Sequence, residues 1–263
     1  MDEVNKRILE VSSFVEDCYV AQNKVFSKIE YAYINDIIRK NNINSILDVG
    51  TGEGSFIYPL ALNNKDVRFL AIDIDESLIS CARKKKKQNN LIFENATFDS
   101  SFRKNSFDLI LARFAVEHMN DVQHFINEAF KRLYKRGLLL ITEYYCDTLH
   151  SENEDWIYFR EKEKELYLKF GSNPEISLYI PLYMKQSGLK DIESNFRHIS
   201  PSTIGFNNFY NLIISYTNLY SFIEPDIWTR KVKNRIFNYC KKASKKRKKN
   251  EDILLISQTI GRK

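Results

Sequence analysis

Residues 46–54 read ILDVGTGEG and combine a run of apolar residues with three closely spaced glycines. Gly50, Gly52 and Gly54 are typical of a sharp turn after a buried strand. At such a turn a ligand approaches the backbone, and Cβ atoms would stand in its way. Asp48 lies two residues before the first glycine. The segment is therefore the first candidate for a binding site.

The acidic residues near this turn indicate the charge of its ligand. A carboxylate at Asp48 repels a pyrophosphate but attracts an ammonium or sulfonium group. Asp73 follows 25 residues later, at the end of a second apolar run, and is placed to accept hydrogen bonds from two ribose hydroxyls. A nucleoside with a positive charge at its 5′ end is S-adenosylmethionine. The dinucleotide pattern G-x-G-x-x-G fits less well, because Ser55 stands where it needs a glycine. The alternative is that Asp48 and Asp73 cap helices.

Short apolar strands alternate with helical segments from about residue 44 onward. This alternation predicts an α/β fold with a parallel sheet and helices on both faces, preceded by a helical cap. Ligands of such a sheet bind beyond the carboxyl ends of its strands. The predicted strands are Ser45–Val49, Val67–Ile72, Leu91–Phe93, Phe107–Ala112, Leu138–Thr142, Leu189–His198 and Ile253–Ile260.

These residues resemble the class I S-adenosylmethionine-dependent methyltransferases. The resemblance implies the Rossmann-like fold of that superfamily, a seven-stranded, mostly parallel sheet with an antiparallel last strand. The resemblance covers residues 40–145 and extends more loosely to the carboxyl terminus. It implies that Asp73 binds the ribose and that Ile74 packs on the adenine. Where many relatives have an aspartate for the adenine amine, this chain has Asn95 or Asp99. The cofactor-binding set that we predict is Asp48, Gly50, Thr51, Gly52, Gly54, Asp73, Ile74, Asn95, Ala96 and Arg113.

Three residues near the ends of the fourth and fifth strands are candidates for catalysis. Glu117 and His118 follow the fourth strand, and relatives that methylate quinone precursors bear a similar Glu-His pair. Some of those relatives add an upstream acid that helps bind a divalent metal, but Arg113 and Phe114 occupy that region here, so we predict no metal site. The alternative for His118 is a backbone hydrogen bond that holds the loop. Glu143, at the end of the fifth strand, contacts either the substrate or a helix cap.

The remaining segments are predicted to build the substrate side. We expect a helical cap at residues 1–40 and a methyltransferase domain at residues 41–263, with helical insertions at about 147–187 and 201–247. One helical face in the second insertion is aromatic. It either packs in the core or lines a pocket for a small, partly apolar acceptor. Its residues are Phe206, Phe209, Tyr210, Ile213, Tyr216 and Tyr220.

Composition limits the remaining function classes. The 263 residues carry a net charge of +6, much of it in the runs Arg83–Lys87 and Lys241–Lys249. No apolar run approaches the ~20 residues of a membrane span, and the four cysteines are scattered, so we expect a cytoplasmic protein. We predict a methyltransferase that acts on an O or N atom of a small molecule, without a nucleic-acid partner. The alternatives are an RNA methyltransferase that uses the lysine runs and a non-catalytic S-adenosylmethionine-binding protein. The oligomeric state stays open.

Overall fold

The computed structural model describes residues 3–102, 107–145, 153–246 and 252–263. Helices and strands alternate through the first part of the chain, and helices dominate after residue 153. In chain order the elements are α1 (Glu3–Lys40), β1 (Ser45–Val49), α2 (Ile57–Asn63), β2 (Arg68–Asp73), α3 (Glu76–Lys85), β3 (Leu91–Asn95), β4 (Phe107–Arg113), a 3-10 turn (Val116–His118), α4 (Val122–Arg132), β5 (Leu133–Tyr145), α5 (Glu154–Lys169), α6 (Ile176–Gln186), β6 (Lys190–Ile199), α7 (Pro201–Ile204), α8 (Phe206–Ile223), α9 (Arg230–Lys246) and β7 (Leu254–Arg262).

The strands form one seven-stranded sheet in the order β3-β2-β1-β4-β5-β7-β6. Strands β1 to β5 pair in parallel. Backbone hydrogen bonds join Lys263, just after β7, to Arg136 and Gly137 near the start of β5, so β7 runs antiparallel to β5. The predicted fold class is confirmed. The largest difference lies in β5, which is longer at both ends than the predicted Leu138–Thr142.

Each face of the sheet carries its own apolar core. On one face, Ile34 and Ile37 of α1 pack with residues of α2 and α3 over Leu109 and Leu138. On the other face, α4 and α6 pack over the alternate residues of the same strands. The period of two along each strand sends neighbouring side chains to opposite faces, so the near-continuous apolar strands supply both cores.

The described residues divide into two compact units. The sheet unit comprises Ile29–Tyr145, Ser172–Arg197 and Ile256–Lys263, and the helical unit comprises Met1–Lys28, Cys146–Gly171 and His198–Leu255. Helix α6 falls in the sheet unit. The expected division into a cap at 1–40 and a domain at 41–263 stays a prediction.

The helical unit has an aromatic core of its own. Trp156 of α5 packs against Phe209 of α8, with ring centroids 5.4 Å apart, and Tyr220 packs against Trp228 at 5.0 Å. Most of the aromatic face predicted on α8 is buried, and Phe206 is half-buried. Among the described residues, none of the helices combines the length and the apolar character that crossing a bilayer requires.

Candidate active site

The glycine turn follows β1 at the carboxyl edge of the sheet. Gly50, Gly52 and Gly54 have φ angles of +76°, +57° and +73°, a region that L side chains rarely adopt. A Cβ atom on Gly50 would lie 2.6 Å from the Cβ atom of Ala115, and one on Gly54 would lie 2.4 Å from the ring of Phe93. Packing within the protein therefore requires two of the three glycines, apart from any ligand.

Asp73 ends β2 and holds the glycine turn. Its Oδ2 atom accepts the backbone N–H of Gly52 at 2.8 Å, and its Oδ1 atom accepts the N–H of Asp75 at 3.0 Å. The cap of α3 is Asp75, which accepts the N–H groups of Ser77 and Leu78. The helix-cap alternative thus applies to Asp75 and not to Asp73. Each oxygen of the Asp73 carboxylate retains capacity to accept a further hydrogen bond, as a ribose diol requires.

Asp48 lies one strand away, in the middle of the sheet. Its side chain is buried within β1, so it caps no helix. Burial raises the pKa of Asp48 to about 6, although the neighbouring Thr51 hydroxyl and the Arg113 guanidinium oppose the rise, while Asp73 and Glu30 add to it. A buried carboxylate of this kind is stabilised by a cationic ligand, because desolvation disfavours its charged form.

The end of β3 supplies the groups predicted for adenine. The side-chain amide of Asn95 donates to the carbonyl oxygens of Asp73 at 3.1 Å and Ile74 at 2.9 Å. This orientation presents the Asn95 carbonyl as the group that can accept an amine. Ile74 is 74% exposed, an unusual state for an isoleucine. Ala96 donates its N–H to the Asp73 carbonyl, and Asp99 is bonded within its own loop.

Arg113, at the end of β4, is paired inside the protein. Its guanidinium forms a two-pronged ion pair with Glu30 of α1 at 2.9–3.0 Å, and Glu30 is fully buried. Burial lowers the pKa of Arg113, but the Glu30 carboxylate more than offsets this, so the net pKa is raised. The role of Arg113 in cofactor binding stays a prediction. In the structure, the Arg113 guanidinium binds the carboxylate of Glu30.

Aromatic rings extend this ion pair into a stack of five layers. The Arg113 guanidinium lies 4.3 Å from the centre of the Phe56 ring and 4.5 Å from that of Phe114. Tyr31 of α1 stacks on the far side of Phe56, and Phe114 stacks with Tyr144 of β5 at 4.2 Å. Phe114 has a φ of +50°, a rare conformation for a bulky residue. The stack connects α1, the residue before α2 and the ends of β4 and β5.

Glu143 supports the short turn that carries the predicted catalytic pair. Its carboxylate is fully buried, and its Oε1 atom accepts the N–H groups of Ala115 at 3.0 Å and Val116 at 2.6 Å. Burial raises the pKa of Glu143, and these backbone donors only partly oppose the rise. Of the two alternatives for Glu143, the described contacts match the cap of a turn.

Glu117 and His118 lie together at the exposed end of this turn. The Nε2 atom of His118 lies 3.4 Å from a carboxylate oxygen of Glu117, and Nδ1 lies 3.4 Å from the hydroxyl of Ser172. The Glu117 side chain is 5% exposed and that of His118 is 58% exposed. An exposed imidazole beside a buried carboxylate can accept a proton from a substrate. Within the described ranges, no group of three or more His, Cys, Asp or Glu residues is placed to hold a metal.

Glu30 was missed in the sequence, although a signal for it exists. The buried positions of α1 recur at helical spacing at Phe26, Glu30, Ile34 and Ile37. A glutamate in an apolar row of this kind indicates a buried partner, because an unpaired charge is costly in a core. That partner, Arg113, lies 83 residues away, and only the fold reveals it.

Part of the chain is similar in sequence to known methyltransferases. Residues 47–141 match the family model described as a methyltransferase domain. The chain is 30% identical over 159 residues to a ubiquinone biosynthesis O-methyltransferase of Pelagibacter ubique (strain HTCC1062), covering 54% of this chain and 65% of the relative. It is 33% identical over 143 residues to a phosphoethanolamine N-methyltransferase of Plasmodium falciparum (isolate 3D7), covering 52% of this chain and 47% of the relative. The chain thus spans less than two thirds of the length of either relative.

The fold is also shared with solved structures. Coclaurine N-methyltransferase, bound to N-methylheliamine and S-adenosylhomocysteine, superposes with a TM-score of 0.55 at 15% identity, covering 100% of this chain and 89% of that one. At this identity the likeness concerns the fold alone. Residues 47–141 thus match a methyltransferase domain, and the chain has the seven-stranded fold of the class I S-adenosylmethionine-dependent methyltransferases.

Proposed function

We propose that the chain transfers a methyl group from S-adenosylmethionine to an O or N atom of a small, partly apolar molecule. The observation that carries the proposal is the arrangement of Asp73 and Asp48. Asp73 is fixed by the Gly52 N–H at the rim, and Asp48 is buried one strand away with a raised pKa. The named relatives, which are O- and N-methyltransferases, support this reaction class.

The residues at the carboxyl edge fit the parts of S-adenosylmethionine. Asp48 would face its cationic end, Asp73 would accept the ribose hydroxyls, and Asn95 and Ile74 would hold the adenine. The bound molecule supplies a methyl group on a positively charged sulfur, which is already an activated leaving group. The protein therefore has to position the acceptor and exclude water, and it needs a base only where the acceptor must lose a proton. His118 is our candidate for that base, positioned by Glu117 and Ser172.

Replacement of Asp73 by Ala tests the cofactor assignment. We expect the affinity for S-adenosylhomocysteine to fall by about 1.5–3 kcal/mol, since hydrogen bonds to a charged group are lost together with the anchor of Gly52. Isothermal titration calorimetry measures the change. The matched control is Asp75→Ala, two residues away, which removes the cap of α3 and should reduce stability by about 1 kcal/mol without changing the affinity. Equal affinities for the wild type and Asp73→Ala would show that Asp73 does not bind the ribose hydroxyls.

The acceptor side of the proposal rests on fewer contacts. A pocket lined by aromatic residues of α8 stays a prediction, because the described side chains there pack against others in the helical unit. A cytoplasmic location also stays a prediction. The aromatic side chains of Phe114 and Tyr144 at the ends of β4 and β5 support a partly apolar acceptor.

RNA methylation is the second candidate, because Arg83, Lys86 and Lys87 line one open groove. Two of these cations are paired internally, since Arg83 lies 3.3 Å from Glu76 and Lys86 lies 3.0 Å from Glu53. Most of the Lys245–Lys249 run lies outside the described residues. We therefore do not expect a nucleic-acid partner.

A salt-titrated gel shift separates the two candidates. We expect RNA binding to be weak at 150 mM salt and to change little when Lys245 and the lysines after it are replaced by Gln, since surface cations alone give only non-specific affinity. Tight binding that falls steeply with salt and disappears in the substituted protein would favour the RNA candidate. Cofactor binding without any methylated product across a broad acceptor screen would instead favour a non-catalytic binding protein.

A further inference from the structure

A groove lies at the carboxyl end of helix α3, beside the edge strand β3. Its volume is about 330 Å³, which is within the range of small-molecule sites. Three cationic residues line it, namely Arg83, Lys86 and Lys87, and among the described residues that form its walls none is acidic. A concave surface with this charge attracts an anion. The residues assigned to the cofactor and to catalysis lie elsewhere.

The rest of the lining combines apolar residues with amides. Leu91 and Phe93 of β3 are buried and line the groove, and Gln88 and Asn89 add amide groups to it. The Nε atom of Arg83 donates to the carbonyl oxygen of Phe93 at 3.1 Å, which fixes the guanidinium beside the strand. This combination fits a small molecule that carries one anionic group on an apolar ring or chain.

Two residues of the groove also support the glycine turn. The Nζ atom of Lys86 lies 3.0 Å from a carboxylate oxygen of Glu53, which stands between Gly52 and Gly54. The Glu53 side chain is only 7% exposed, so Lys86 neutralises a largely buried charge. The ring of Phe93 packs so closely on Gly54 that a Cβ atom there would lie 2.4 Å from it. The groove and the glycine turn therefore share Lys86 and Phe93.

We propose that this groove is a regulatory site for a small anionic molecule, and that its occupation weakens cofactor binding at the glycine turn. The anion competes with the Glu53 carboxylate for the Lys86 ammonium. When Lys86 turns to the ligand, Glu53 is buried without a partner, which is costly. The turn must then shift to bring Glu53 to water, away from the arrangement that we assign to the cofactor. This second part of the proposal rests on the proposed function.

The probe is phenyl phosphate, which joins one anionic group to one apolar ring. Isothermal titration calorimetry on the full chain measures its affinity with and without S-adenosylhomocysteine. The measurement without cofactor does not depend on the proposed function. We expect phenyl phosphate to bind at least about tenfold more tightly than phenol or inorganic phosphate, since each of these lacks one part of it. Each of the two ligands should lower the affinity for the other by the same factor, about fivefold, because the coupling is reciprocal.

Three variants locate the effect. Lys87→Gln removes an exposed cation of the groove and should weaken phenyl phosphate binding about fivefold, with unchanged affinity for S-adenosylhomocysteine. The matched control is Lys84→Gln, because Lys84 is also exposed on α3 but does not line the groove, and it should change neither affinity. Glu53→Gln removes the charge that competes for Lys86. It should tighten phenyl phosphate binding and bring the mutual factor close to one.

Four results would overturn the proposal. Failure of phenyl phosphate to bind removes the site, and an unchanged affinity in Lys87→Gln means that the probe occupies another position, such as the cofactor site. Equal affinities for phenyl phosphate and inorganic phosphate contradict the apolar part of the ligand class. An affinity for phenyl phosphate that is the same with and without bound S-adenosylhomocysteine contradicts the regulatory role.

Discussion

Replacement of Glu30 by Ala is expected to destabilise the protein by about 3–5 kcal/mol, the range found when one partner of a buried ion pair is removed. Glu30 is fully buried, and its partner Arg113 is enclosed between the rings of Phe56 and Phe114. Without the carboxylate, a guanidinium charge stays in a largely dry environment with nothing to compensate it. Urea unfolding followed by circular dichroism measures the loss.

Two further variants show that the effect comes from burial. The double variant Glu30→Leu with Arg113→Met removes both charges and should recover most of the stability, because a buried pair is often replaceable by apolar residues of similar size. The exposed pair of Asp36 and Lys40, also on α1, provides the matched control. Asp36→Ala should cost less than about 1 kcal/mol. A loss of that size in Glu30→Ala would show that water reaches the guanidinium.

The parts of the site that depend on local sequence were predictable. The glycine turn, Asp48 and Asp73 are close in sequence to strands whose apolar runs are plain, and parallel strands end at one edge. The structure places them at that edge and joins Asp73 to Gly52 directly. The cap of α3 is also local, yet Asp75 supplies it while Asp73 was considered for it. Two aspartates with one residue between them cannot be assigned without the backbone.

Pairings over long sequence distances were not predictable. β7 inserts between β5 and β6, and the sequence does not encode that order in any local pattern. The length of β5 was underestimated because Tyr134, Lys135 and Arg136 are polar or exposed. This segment bulges out of the pairing with β4, with Arg136 at a φ of +73°, and a hydrogen bond from Arg136 to Lys263 helps continue the strand through it. Strand propensity depends on such context more than helix propensity does.

Replacement of Asp48 by Asn is expected to stabilise the protein without its cofactor by up to about 3 kcal/mol at pH 7, since one pKa unit corresponds to about 1.4 kcal/mol. Burial raises the pKa of Asp48 to about 6 from an ordinary value of 3.8. A carboxyl whose pKa is higher in the folded state destabilises that state when it ionises. The destabilisation begins above the unfolded pKa and is complete above the folded one. The gain from Asn should therefore shrink to about half at pH 5 and disappear below the unfolded pKa.

The same substitution should weaken cofactor binding, because the carboxylate that costs stability is the one that attracts the cation. Between pH 7 and pH 5 the wild type should lose about tenfold in affinity for S-adenosylmethionine as Asp48 takes up a proton, whereas the Asn variant should bind weakly with no such dependence.

Arg113, Glu30 and Asp73 also act on Asp48, so the control must leave them in place. Asp108→Asn does so: Asp108 accepts the N–H and hydroxyl of Ser45 at the opposite end of β1, and its loss should lower stability at unchanged affinity. Melting curves and calorimetry at both pH values test the pair. If Asp48→Asn melts lower than the wild type and binds equally well, Asp48 serves the fold and not the ligand.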